Sequence, residues 1–79
     1  MSQAIDRRLR LQILDQCLVV LEEALERGQP RVDAPLGLKL RKLLGRAGLI
    51  PGHRLEGRRV DRVLDDIFAL QEEMTGQAS

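Results

Sequence analysis

Few side chains in this sequence have the chemistry of a catalyst. His53 stands beside Arg54 with no second histidine and no nearby acid–Ser or Cys pair, so it reads as a solvated loop residue rather than a general base. Cys17, the one thiol, lies in the densest apolar part of the first helical segment, where a buried thiol is a small inert hydrophobe. One cysteine allows no internal disulfide, and one Cys with one His falls short of a structural zinc set. Asp65-Asp66 and Glu72-Glu73 are neighbours in sequence, splayed about 100° apart on a helix, and they lack the Glu-x-x-His pattern of a di-metal bundle. Gly37, Gly45 and Gly48 do not spell the G-x-x-x-x-G-K-[ST] phosphate loop. No catalytic, cofactor-binding or metal-ligating residue is assigned, and the chain is read as a non-enzyme.

The elements that carry these residues are helical. From about residue 4 to 27 there is no Gly or Pro, and Leu11, Leu14, Leu18, Leu21 and Leu25 recur in steps of 3 and 4, which predicts a long helix. Ser2 is a candidate N-cap, and Gly28 followed by Pro30 is a stop signal. A shorter helix over about 35–47 starts with Pro35 in its first turn, behind Asp33 or Ala34 as cap, and carries Leu36, Leu40, Leu43 and Leu44. After the Pro51-Gly52 turn, a third helix over about 56–75 carries Val60, Val63, Ile67, Leu70 and Met74, widened by Leu64 and Phe68.

With 79 residues there is room for one domain, spanning 1–79, and apolar and charged fractions of 43% and 32% are those of a globular chain rather than a disordered one. No run approaches the ~18 apolar residues of a membrane span. Asp6, Arg7, Arg8 and Arg10 follow Met1 too closely for a signal peptide, so the expected location is the cytoplasm, away from membranes.

Helix one has a second stripe, Ile13, Cys17, Val20 and Ala24, beside its leucines, and Leu18-Val19-Val20-Leu21 is apolar all round. A surface helix of a small domain shows one stripe roughly 100° wide, so this one needs neighbours on two sides. The expectation is an all-α fold of long, short and long helix, whose long helices form a bundle with a second chain, most simply a homodimer. The interface residues would be Ile13, Cys17, Val20 and Leu21 on helix one, with Leu64 and Phe68 on helix three. Both long helices also run from basic to acidic: Arg7, Arg8 and Arg10 to Glu22, Glu23 and Glu26, and Arg58, Arg59 and Arg62 to Glu72 and Glu73. That order opposes the helix dipole, and an antiparallel pair sets each basic end against an acidic one.

Residues 31–62 hold nine bases against three acids, Asp33, Glu56 and Asp61. Lys39, Arg41, Lys42, Arg46, Arg54, Arg58 and Arg59 are candidates for binding an anion or nucleic acid, unless they answer the acidic helix ends of the same assembly. Lys42, Arg46, Gly48-Leu49-Ile50-Pro51 and Arg54 resemble the stretch where the recognition helix of MerR-type winged-helix regulators passes into its wing. That family's paired tyrosines are Leu43 and Leu44 here, and no Gly-Tyr-Arg wing follows. The long-short-long order is similar to the layout of small all-helical chorismate mutases, in which Arg10, Arg27, Lys39 and Arg46 would clamp an anionic substrate. The family's polar site motif has no residue-by-residue counterpart here. The leading reading is a non-catalytic homo-oligomeric interaction or scaffolding module, alone or as the small subunit of a larger complex. A nucleic-acid-binding or regulatory protein using residues 31–62 is the alternative, and a small dimeric enzyme the lesser one.

Overall fold

A computed structural model describes residues 7–49, 51–52 and 54–76. It contains α1 (Arg7–Glu26), α2 (Ala34–Arg46) and α3 (Val60–Thr75). The expected Ser2 cap and the expected helical residues before Arg7 lie outside the described residues, as does His53.

Helix boundaries follow from local chemistry. At the end of α1, Gly28 takes a left-handed φ of 80°, and Gln29 N–H donates to Ala24 O at 2.9 Å while Gly28 N–H donates to Leu25 O at 2.9 Å. This 6→1 and 5→2 pair satisfies carbonyls the helix would otherwise leave open. Gly48 repeats the device after α2, with φ 73° and Leu49 N–H donating to Leu44 O at 2.8 Å. The start of α2 is capped by Asp33, whose Oδ1 accepts from Leu36 N–H at 3.0 Å, with Pro35 in the first turn.

Helix three begins at Val60, four residues later than expected, because the residues before it are spent on a short ribbon. Arg31 and Arg59 form an antiparallel bridge. Val32 N–H donates to Arg58 O at 2.8 Å, Gly57 N–H to Val32 O at 2.8 Å, and Val60 N–H to Pro30 O at 2.9 Å. Backbone groups committed to this pairing cannot also make the first turn of a helix.

Both later helices pack on α1. Gln71 Nε2 donates to Asp15 Oδ1 at 2.6 Å, so the late turns of α3 lie beside the early turns of α1. The first residue of α3 bonds to Pro30, just beyond the end of α1. The long helices are therefore antiparallel, as the charge order predicts. Helix α2 also opposes α1: Leu36 neighbours Glu23 and Arg27, while Arg46 neighbours Gln16 and Val19.

The core joins Leu14, Cys17, Leu18, Leu21 and Ala24 of α1 to Leu36, Leu40 and Leu44 of α2 and to Val60, Val63 and Ile67 of α3. Val32 and Leu55 close it from the ribbon side. Each such aliphatic side chain contributes about 1.5–3 kcal/mol on full burial. Most of the second stripe of α1, expected to seek another chain, is sheltered within this one: Ile13, Cys17 and Ala24 are 2%, 0% and 0% exposed, while Val20 is half-buried. For Cys17 and Ala24 the physical reason is α2, which packs on α1 and brings Leu36, Leu40 and Leu44 into the same core.

Candidate interaction surface

The surface chemistry centres on α2, which carries Lys39, Arg41, Lys42 and Arg46 and no acid. The three acids of the basic middle segment are each occupied locally. Asp33 caps α2, Glu56 pairs with Arg41 at 3.0 Å, and Asp61 pairs with Arg59 at 2.9 Å. Gly37 leaves room for the Glu56 side chain, whose Oε2 would lie 2.5 Å from a Cβ placed there. Arg58 reaches Asp66 at 3.6 Å, and Arg31 Nη1 donates to Gly57 O at 2.8 Å. Arg54 is exposed.

Lys39, Lys42 and Arg46 remain. They are exposed, and none of their side chains makes a hydrogen bond or ion pair to another described residue. Their spacing of 3 and 4 puts them in one stripe along α2. Beside that stripe the α1–α2 flank opens into a trough of about 480 Å³ floored by Val19, Val20 and Leu43. Val19 is 52% exposed, and Val20 and Leu43 are half-buried. Gln16 is the polar residue on the opposite bank. The arrangement is an apolar floor edged on one side by three positive charges.

The six residues expected to form one interface therefore occupy three places. Ile13, Cys17 and Leu21 are buried. Val20 is in the floor of the trough. Leu64 and Phe68 lie on the outer edge of α3, half-buried and 44% exposed respectively, where Phe68 shares a shallow groove with Leu11, Asp15 and Glu72. Of the seven cationic candidates, Lys39, Lys42 and Arg46 line the trough, while Arg41, Arg58 and Arg59 are engaged in ion pairs. Sequence reasoning notes Val19 within an all-round apolar run and Leu43 on helix two, but names neither as an interface residue. Val19 stands outside both stripes of α1, which was the available signal, because an apolar residue there has no place in the core.

Burial pushes the Cys17 thiol from 9.0 up to about 11, through desolvation of the thiolate. It is a packing residue, not a nucleophile. Among the described residues no three His, Cys, Asp or Glu side chains gather as metal ligands, and no helix is long and apolar enough to cross a membrane. No protein-family model, curated protein or solved structure matches this chain.

Proposed function

We propose that the chain is a non-catalytic protein-binding module whose α1–α2 trough receives an apolar segment edged with acidic side chains. The observation that supports this is the coincidence of an open apolar floor with a stripe of cations that have no partner within the described fold. Apolar surface framed by polar residues is the usual mark of a docking site, and complementary charge at its rim selects the partner and speeds encounter. An aliphatic floor favours a peptide side chain over a base, for which α2 offers no aromatic platform.

Association with a second chain, on this reading, uses the trough and not the inner stripes of α1, which are already filled. The test is calorimetric titration of the full chain with a synthetic amphipathic helix of Leu and Glu, and with a matching helix of Leu and Lys. Binding of the Leu/Glu helix alone, lost in the triple variant Lys39→Glu, Lys42→Glu, Arg46→Glu, is expected. Equal binding of both helices, or of neither, rejects the proposal.

A second reading, nucleic-acid binding, draws on the acid-free composition of α2. It requires binding of a generic duplex at low salt that falls steeply as salt rises and is lost on reversing Lys39, Lys42 and Arg46. An absence of duplex binding at low salt removes it.

A further inference from the structure

Resting on the trough as a docking site, we infer that its occupant is the outer edge of α3 from a second copy of this chain. That edge has the complementary composition. Phe68 is 44% exposed, with Leu64 one turn before it, and Asp65 and Glu72 stand three residues before and four residues after it, on the same side of the helix. Both acids are exposed, and neither carboxylate makes an ion pair to a described residue. Residues 63–79 contain four acids and no base, so nothing cationic on the second half of α3 competes for them.

The spacing also matches. Asp65 and Glu72 are seven residues apart, as are Lys39 and Arg46; at 1.5 Å per residue each pair spans about 10 Å. Phe68 falls between the acids as Lys42 falls between the bases. A copy of α3 laid along α2 can set its two carboxylates against the two terminal cations while Phe68 and Leu64 cover Val19, Val20 and Leu43.

Such a contact joins two different surfaces, so it is heterologous: each chain offers one trough and one edge. It differs from the shared four-helix core expected from the sequence, in which the same stripes would meet across an axis. Two consequences follow. Association weakens as salt rises, because both rims are solvent-exposed. Blocking either surface in every copy weakens association, whereas blocking one surface in each of two different copies leaves one working contact.

The experiment uses sedimentation velocity on the full chain over a wide concentration range. It compares the unmodified protein, a trough-blocked variant (Lys39→Glu with Lys42→Glu) and an edge-blocked variant (Phe68→Lys). All three positions are exposed, and thermal unfolding by circular dichroism checks that each variant folds; Phe68→Gln replaces Phe68→Lys where the lysine form does not. The unmodified chain is expected to self-associate, each variant alone to associate about tenfold or more weakly, and the equimolar mixture to sediment as a one-to-one dimer.

A mixture that stays monomeric, or a variant that associates as strongly as the unmodified chain, overturns the inference. An unmodified chain that stays monomeric but still binds the Leu/Glu helix overturns it too, while leaving the trough's role standing. Loss of both overturns both.

Discussion

The two flanks of α1 are finished to different degrees. On the α3 side, Val60, Val63 and Ile67 are buried and the helices are tied by the Pro30 and Asp15 bonds, so that only the outer edge at Phe68, beside Leu11, stays open. On the α2 side, Leu36, Leu40 and Leu44 are buried, yet one row further out Val19, Val20 and Leu43 are left in an open trough beside three unpaired cations. The same helix thus shows a packed seam and an unfinished one. A small domain can bury enough to fold and still keep an apolar surface, provided that surface lies outside the stripes its own helices need.

The largest effect that separates the two flanks is expected from truncation. Ile67→Ala, at a 3% exposed position, should cost about 2–5 kcal/mol in urea unfolding. Val20→Ala, in the half-buried floor, should cost about 1 kcal/mol, because its methyl groups are only partly removed from water. Equal losses at the two sites would mean that the trough is as closed as the seam. For the same reason Val20→Glu should fold, its carboxylate reaching water beside Lys39 and Lys42.

Cys17 reports on the dryness of the inner face of α1. Its thiol is pushed up to about 11 when folded, against 9.0 in the open chain. Between those values the unfolded state has lost the proton and the folded state keeps it, so stability falls as pH rises from about 9 to 11. The slope reaches at most ~1.4 kcal/mol per unit. Denaturant unfolding under reducing conditions should show this fall in the natural chain and a flatter profile in Cys17→Ala. Parallel profiles would place water at the thiol.

Smaller effects test α2 itself. Asp33→Ala should lower stability by about 1 kcal/mol through loss of the cap. Gly45→Ala should raise it by up to ~1 kcal/mol, since a Cβ there meets nothing within 4 Å and alanine favours the helix. The smallest change, within about 0.5 kcal/mol, is expected for Lys39→Glu with Lys42→Glu, although these substitutions should remove docking. A large loss of stability would instead give the cations a structural role.

Much of this fold is legible in the sequence because it is local. The 3-4 spacing of Val60, Val63 and Ile67 marks a buried helix face, Gly28 with Pro30 marks a stop, and Asp33 with Pro35 marks a start. The opposed charges of the long helices give their antiparallel pairing. What is not legible depends on contacts distant in sequence. The late start of α3 comes from pairing Arg31 and Val32 with residues 57–59, and nothing in either segment announces the other. Burial of Cys17 within one chain depends on where α2 is returned after Gly28, which a stripe of leucines does not specify. The trough was not legible for the same reason: the all-round apolar run at Val19 does not say which side stays open until both core faces of α1 are filled, and Leu43 stands out only once Leu44 is seen to take the core position.

The most direct measurement is a methyl-resolved NMR titration of the isotope-labelled chain with the Leu/Glu helix, following valine and leucine methyl groups together. Shifts concentrated at Val19, Val20 and Leu43, with Leu14, Leu21 and Val63 unmoved, are the expected result. Shifts that spread through the core methyl groups, or that gather in the separate groove around Leu49 and Leu70, would contradict the assignment of the open α1–α2 flank as the docking surface.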